Sequence, residues 1–364
     1  MPMLGWKTSS ESQPERSMSP GIETLNWLHD EQLQVDPEWS VRTDREFTWW
    51  PHRFAQRIEI ADSSETEDSG PLDLVRISTD VLDGVDLTEE GLRRLNALAL
   101  PFASLAALVH DGEKKTLRLV SSAWIHEGNR GWIQPILSIA ATLQLHEAEG
   151  HASGLARFLD GAAHHSGHPE SGEREEPDEI AEVVERLIRP LGGGPSSWED
   201  DEFADTCERY MQQPPCLLAN AGGAGFTAEF PWGEVSSLLQ VTAGDRHPSY
   251  GSGILLRQRF PFAAEDEVDL VRVALDLNEA DVAQGAADAY GFGSYCVDGG
   301  DLVFVAFYPN AAHRVGFLPN LYFTSAARAR FVSTVFLEDD WTEAWDEEGN
   351  CRAKSSVERM MDFF

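Results

Sequence analysis

The sequence predicts an α+β protein made of two similar domains, each with an antiparallel sheet packed against helices. The chain has 364 residues, more than one hydrophobic core usually serves, and 42% of them are hydrophobic. Short apolar or alternating runs typical of strands are interleaved with longer runs of helical period. The order helix, three or more strands, helix, two strands, helix occurs once in each half of the chain, which indicates a tandem repeat.

The first domain is predicted over residues 21–160, after a flexible polar tail at 1–20. Helices are expected at 22–33, 88–100 and 132–149. The middle helix begins at Thr88, where a hydroxyl and the two carboxylates after it suit the N-terminal end, and Pro101 stops it. The acidic stretch 62–70 has the composition of a turn. The predicted strands lie at 39–41, 47–50, 54–60, 72–78, 102–109 and 116–125.

The middle of the chain differs in composition from both sides. Residues 161–202 form an acidic, His- and Gly-rich stretch, which predicts a linker with one short helix at 180–188. The second domain is predicted over 203–337, and an acidic, aromatic segment follows at 338–364. The helices of this domain are expected at 203–211, 265–277 and 318–336. Its predicted strands lie at 226–230, 235–241, 254–260, 293–297 and 302–308.

The two halves share local details as well as the order of elements. Trp49-Trp50-Pro51 lies in an early strand pair of the first half and Phe230-Pro231-Trp232 in that of the second, while Arg130 and Arg314 each precede the last helix. This order of elements resembles YbjN and the type III secretion chaperone-like fold over about 125 residues in each half. The resemblance implies generally non-enzymatic domains that bind partner polypeptides and often pair with themselves. It places no functional residue, and two unrelated α+β domains are the alternative.

The charge of the chain disfavours two classes of partner. The 62 acidic and 28 basic side chains give a formal net charge of −34, which repels nucleic-acid phosphates and anionic membranes. The four lysines among the basic residues fit either G+C-rich codons or adaptation to salt. Residues 1–20 have no apolar core of signal-peptide length, and the apolar stretch 95–109 is too short to span a bilayer. With four cysteines and no CxxC pair, a cytoplasmic protein with reduced thiols is expected.

Five histidines lie close together in sequence and raise the question of a metal site. They are His146, His151, His164, His165 and His168, with carboxylates among them. Imidazole and carboxylate are ligands for zinc or nickel, so His164, His165 and His168 are candidate metal ligands. The glycines around the last three predict a flexible loop instead, which would not hold ligands in a fixed geometry. No cofactor is predicted.

An aromatic and basic cluster and two isolated arginines are the candidate partner-binding residues. Trp49, Trp50, His52 and Arg53 are nearly contiguous, and tryptophan and arginine often dominate protein interfaces. Adjacent residues of a strand point to opposite faces, so one tryptophan should lie off the main core. Arg130 and Arg314 could meet an anionic group of a partner. The alternatives are core packing for the aromatics and surface salt bridges for the arginines.

The sequence therefore predicts a non-catalytic, protein-binding adaptor or chaperone-like protein of two tandem modules, paired as a homodimer or as an intramolecular pseudo-dimer. The glycine-rich stretches 192–194 and 222–225 lack the flanking strand and helix of a nucleotide loop, and no Gly-x-Ser-x-Gly motif occurs. Two alternatives stay open. One is a metal-dependent hydrolase using the tract His146–His168, and the other is a structural subunit that docks through 338–364.

Overall fold

The prediction of an α+β protein with two antiparallel sheets is confirmed by the computed structural model. The structure describes residues 18–66, 70–99, 104–211, 224–232, 235–262, 266–284 and 290–337. The predicted tail, apart from residues 18–20, and the segment 338–364 lie outside these residues, as do the first two residues of the glycine-rich stretch 222–225.

The first half begins with a capped helix. The Ser19 hydroxyl accepts the amide of Ile22 at 3.4 Å, and Pro20 takes the first helical position, where its missing amide proton costs nothing. The helices of this half are α1 (Pro20–Trp27), α2 (Glu89–Ala99) and α3 (Arg130–Phe158). Its strands are β1 (Ser40–Arg42), β2 (Glu46–Trp49), β3 (Gln56–Thr66), β4 (Gly70–Asp83), β5 (Ala107–Asp111), β6 (Thr116–Ile125) and β7 (Ala162–Ala163).

Two predicted boundaries in this half are wrong. In the acidic stretch 62–70, residues 62–66 belong to β3 and Gly70 to β4, which pair with each other, while 67–69 lie outside the described residues. Helix α3 does not end at residue 149 but continues through Gly150 and Gly154 to Phe158. A buried stripe at Ala148, Ala152 and Ala156 packs into the core over this extra length. Tertiary burial thus offsets the low helix propensity of the two glycines.

The predicted linker packs against both halves. Strand β7 pairs with β4, and the amide of His164 donates to the Val81 carbonyl at 2.8 Å. The expected short helix is present as a 3₁₀ turn (Glu179–Glu182), a π-helical turn (Val184–Ile188) and α4 (Arg189–Gly192). Val184 and Ile188 are buried in the main core, so this segment packs on the two halves and does more than connect them.

The second half follows the predicted order closely. Its strands are β8 (Gly225–Trp232), β9 (Val235–Thr242), β10 (Arg246–His247), β11 (Gly251–Phe260), β12 (Ser294–Asp298) and β13 (Asp301–Pro309). Its helices are α5 (Asp200–Thr206), α6 (Glu267–Gln284) and α7 (Phe317–Leu337). The main strands of the two sheets have the same order, β2-β3-β4-β6-β5 and β8-β9-β11-β13-β12. The two halves therefore share one topology, to which the first adds β1 and β7 and the second adds β10.

A buried glutamine under the last helix is common to both halves. Gln56 Nε2 donates to the Ala141 carbonyl of α3 at 3.0 Å, and Gln258 Nε2 donates to the Ser325 carbonyl of α7 at 2.8 Å. Both side chains are fully buried, where an unpaired amide would be costly. Each last helix is thus fixed to its sheet by a hydrogen bond as well as by apolar packing.

The halves pack on each other reciprocally, as in an isologous pair: α2 of the first half packs beside β12, and α6 of the second packs beside β5. The Asn96 side chain bonds both backbone groups of Val297, at 2.7 and 2.9 Å. Asn278 bonds both backbone groups of Tyr295, at 2.6 and 3.1 Å, and also donates to the Leu108 carbonyl at 3.3 Å. The outer edge of β12 is thereby satisfied by side chains rather than left open.

One continuous apolar core runs through both halves, from Leu25 to Val335. Trp132, at the start of α3, joins them, since its ring meets the edges of Tyr290 at 4.9 Å and Phe317 at 6.3 Å. Within the described ranges, no helix combines the length and the apolar character needed to cross a bilayer.

Candidate functional site

The two tryptophans of the predicted partner-binding patch are buried. Trp49 has no exposed surface and donates its indole N–H to Gln56 at 3.2 Å. Trp50 is 6% exposed, donates to the Ser166 hydroxyl at 3.1 Å and contacts the His168 ring edge-on at 4.9 Å. Trp49 packs in the core, as the alternative interpretation expects, and the segment after α3 covers Trp50. Neither ring is exposed, and a role of the two tryptophans in partner binding stays a prediction.

The other two members of that patch line a polar cleft. Arg53 is exposed, and the half-buried His52 places Nδ1 3.0 Å from Glu149 Oε1. Both line a cavity of about 300 Å³, together with His165, Ser166 and the segment 173–175. The guanidinium of Arg174 in that segment is bound to the Trp50 carbonyl and to Asp178. Of the groups that line this cleft, His52 and Arg174 are thus paired with carboxylates beside it.

The two isolated arginines have local partners. Arg130 forms ion pairs with Glu23 and, at 3.2 Å, with Glu127, as the salt-bridge alternative expects. Arg314 is exposed and donates to the carbonyls of His313 at 2.6 Å and Ala311 at 3.4 Å.

The three candidate metal ligands point to three different neighbours. His164 Nδ1 lies 2.9 Å from Asp83, His165 meets the ring of Phe54 edge-on at 5.5 Å, and His168 is 7% exposed beneath Trp50. Across the described part of the chain, no three His, Cys, Asp or Glu side chains are grouped so as to hold a metal ion. The proposed hydrolase site on the tract His146–His168 is therefore not assembled by these residues.

A second site is a cavity of about 320 Å³ between the two halves. The first half contributes one face of its sheet, the end of α2 and the C-terminal part of α3, and the second half contributes residues around the start of β11. Most of the wall is apolar. The lining residues are Val81, Leu98, Ala99, Ser104, Ala106, Leu108, Leu117, Leu119, Glu147, Gly150, His151, Gly154, Leu155, Phe158, His247, Ser249, Tyr250 and Ser294.

Helix α3 provides one side of this cavity through two adjacent stripes. Ala148, Ala152 and Ala156 are small enough to bring the helix close to the sheet. The neighbouring stripe, from Glu147 to Phe158, faces the cavity and recurs at helical spacing over about 16 Å of helix axis. One helix therefore both closes the core and lines the site.

Two glycines in that stripe keep the cavity open. A Cβ atom added to Gly150 or Gly154 would meet nothing within 4 Å, and neither glycine has a positive φ. Each costs about 1 kcal/mol of helix stability relative to alanine. Neither close packing nor backbone conformation requires these glycines, and their effect is to leave space beside Glu147.

Glu147 is the polar centre of the cavity. Its Oε1 accepts the Tyr250 hydroxyl at 2.7 Å, and its Oε2 accepts the Ser104 hydroxyl at 3.1 Å. The residue is surrounded by protein yet partly accessible, because it lines the cavity. Burial raises the pKa of Glu147 to about 7, although the two hydrogen bonds act in the opposite direction. The pKa of this carboxyl thus lies near neutral pH.

Tyr250 is held in place by a close backbone crossing. A Cβ on Gly192, at the end of α4, would lie 1.9 Å from the Tyr250 carbonyl oxygen, and Gly251 has φ +74°. The Tyr250 ring stacks on His247 with centroids 4.6 Å apart. Burial, followed by the neighbouring Glu147, raises the pKa of Tyr250 well above its ordinary value, so its hydroxyl stays a donor. The segment between the halves therefore positions a cavity residue without lining the cavity.

Burial affects the two histidines on the same helix as Glu147. Burial, followed by the positive charge of Arg189, lowers the pKa of His146 and of His151. His247 Nδ1 accepts the amides of Ser249 at 3.1 Å and Tyr250 at 3.3 Å, which fixes the orientation of its ring. The site is therefore an apolar cavity with one oriented carboxyl as its ionisable centre.

Sequence reasoning missed this site for an identifiable reason. Ending α3 at residue 149 removed Gly150 and Gly154 from the helix and hid their spacing with Glu147. The alanine repeat at 148, 152 and 156 was the signal that the helix continues. Nothing in the sequence brings Tyr250 to Glu147, which is 103 positions away.

Comparison with protein-family models, curated proteins and solved structures gave no match. The resemblance to YbjN and the secretion chaperone-like fold accordingly stays a prediction.

Proposed function

We propose that this chain is a non-catalytic binding protein that holds a small, mostly apolar molecule in the cavity between its two halves. The cavity of about 320 Å³, with apolar walls around one hydrogen-bonded carboxyl, carries the proposal. Ligand sites commonly have volumes of about 300–1,000 Å³, mostly apolar walls and a few polar groups that orient the ligand. Ligand sites also commonly lie between packed domains.

The glycines of α3 give independent support. A fold selected only for stability would gain from alanine at positions 150 and 154, since both positions have room for a side chain. Keeping glycine there trades stability for open volume. Both glycines line the cavity and are exposed to solvent, so they leave room for a ligand without being required by core packing.

The proposal keeps the sequence-based idea of a binder but changes the class of ligand. A polypeptide site at Trp49 and Trp50 would need exposed rings, and both are buried. A metal-dependent hydrolase would need converging ligands, whereas His164, His165 and His168 have separate neighbours. The docking role of 338–364 concerns residues outside the described ranges.

The proposal is tested by titrating the protein with Nile red, a neutral apolar fluorophore that brightens in apolar sites. Gly154→Leu places a leucine side chain in the cavity and should raise the Kd for Nile red by at least about ten-fold. Ser153→Leu adds the same side chain to an exposed position of the same helix and is the matched control. Thermal unfolding of both variants checks that the fold is retained. Equal Nile red binding by wild type and Gly154→Leu would overturn the proposal.

A further inference from the structure

The hydrogen bonds at Glu147 restrict what a ligand can offer. Tyr250 and Ser104 donate one bond to each carboxylate oxygen. A carboxylate has further lone pairs on both oxygens, and these can only accept. A ligand headgroup that completes this site when Glu147 is ionised must therefore be a donor, and one with several N–H bonds completes it best.

Charge around the cavity restricts the ligand in the same direction. Among the lining residues that the structure describes, none is a lysine or an arginine, and Glu147 is the acidic one. Arg189 is the cation near this end of α3, and it is engaged elsewhere. Its Nε donates to the Ser249 carbonyl at 3.0 Å, and its other nitrogens face Glu185 and, at 3.3 Å, His146. An anionic headgroup would meet Glu147 with no neutralising partner in the wall.

From this geometry we infer that the ligand carries a primary amine, held as an ammonium group by the Glu147 carboxylate, with its apolar part along α3 toward Phe158. This inference rests on the proposed function of the cavity. The ammonium supplies the donors that the two oxygens lack and the positive charge that the lining lacks. The stripe from Gly150 to Phe158 offers about 12 Å of helix axis for an unbranched apolar tail.

The inference predicts that the affinity for the amine depends on pH. Protonation of Glu147 at lower pH removes the negative charge that holds the ammonium, so amine affinity should fall as pH decreases from 8 to 6. The titratable or charged groups facing this region are His146 and His151 on α3, Tyr250 and His247 from the second half, and Arg189 and Glu185 from the segment between the halves.

The test compares three ligands that differ only in their headgroup. Decylamine, decanol and decanoic acid are titrated at pH 8 as competitors of Nile red, against wild type, Glu147→Gln and the exposed-site control Glu113→Gln. We expect decylamine to bind wild type at least about ten-fold more tightly than decanoic acid, with decanol between them. Glu147→Gln should lower decylamine affinity by at least about ten-fold, whereas Glu113→Gln should not, and thermal unfolding shows whether each variant is folded.

The outcomes separate this inference from the proposed function. Decanoic acid binding as tightly as decylamine, or an amine preference that persists in Glu147→Gln, would overturn the inference while leaving a binding cavity. Failure of Nile red and of all three decyl compounds to bind wild type would overturn the proposed function, and the inference with it.

Discussion

The last helix of each half buries one ionisable side chain, and the two are treated differently. In the second half, Arg328 of α7 is 1% exposed, lies 3.6 Å from the centroid of the Phe304 ring and donates to the Tyr290 carbonyl at 2.6 Å. Asp281 lies 3.9 Å from it and is also buried. The fold thus encloses this charge and supplies its counter-charge.

In the first half, Glu147 of α3 is hydrogen-bonded but not neutralised. Its partners are hydroxyls, and among the described side chains no cation forms an ion pair with it. It also faces open volume, whereas Arg328 faces packed aromatic rings. A buried charge that the fold pairs is part of the core. A buried charge that the fold orients beside a cavity but does not neutralise is available to a ligand.

The largest change in stability expected from this comparison follows substitution of Arg328. Arg328→Met should lower the free energy of unfolding by about 3–5 kcal/mol, because it leaves Asp281 buried without its cation. Urea denaturation measures the change. Arg314→Met is the control, since that exposed guanidinium contacts backbone carbonyls and its loss should cost less than about 0.5 kcal/mol. Equal effects of the two substitutions would mean that the Arg328 pair is not part of the core.

Substitution of Glu147 is expected to change the free energy of unfolding in the opposite direction. Its pKa is about 7 in the folded protein against 4.5 for an ordinary glutamate, so the folded state binds more protons in that interval and stability falls as pH rises through it. Glu147→Gln removes the ionisable group and with it this loss of stability at high pH. At pH 8 it should raise the free energy of unfolding by about 2 kcal/mol, a value reduced for solvent in the cavity, and at pH 4 it should change little.

Chemical denaturation at both pH values measures this effect, with the exposed-site variant Glu113→Gln as control. A variant less stable than wild type at pH 8 would show that the carboxylate is neutralised by the fold, as Arg328 is. The contrast between the two helices would then disappear.

The smallest effect concerns the cavity glycines. Gly154→Ala should raise the free energy of unfolding by about 0.5–1 kcal/mol, because the added methyl group meets open space and improves helix propensity. Gly253→Ala provides the contrast, since a Cβ there would lie 2.2 Å from the Tyr308 carbonyl oxygen and should destabilise the protein. Thermal unfolding measures both. Destabilisation by Gly154→Ala would show that this glycine is needed for packing, and the argument from open volume would fail.

The order of elements could be predicted because it depends on local patterns. The strand at 116–125 was predicted with its observed boundaries, and the last helix of the second half within one residue at each end. Period-2 and period-3.6 apolar spacing acts over a few residues, so it is visible in the sequence. The boundaries that failed, at 62–70 and at 149, are places where long-range pairing or burial overrides local composition.

The roles of the aromatic and histidine clusters could not be predicted in the same way. Nearness in sequence put Trp49 and Trp50 in one patch and His164, His165 and His168 in one tract, yet the fold directs each of these side chains to its own neighbour. Proximity along the chain says little about convergence in space, because side-chain direction follows the local backbone and the surfaces packed around it.

The sequence by itself determined the α+β class, the repeated order of elements and an acidic surface, because each follows from composition or from short-range periodicity. Only the tertiary structure decided the site. Ser104, Glu147 and Tyr250 come from three separate stretches of chain, and they meet because the two halves pack reciprocally and Gly192 lets α4 cross the start of β11. The raised pKa of Glu147 follows from that burial, which arises only when both halves are in contact.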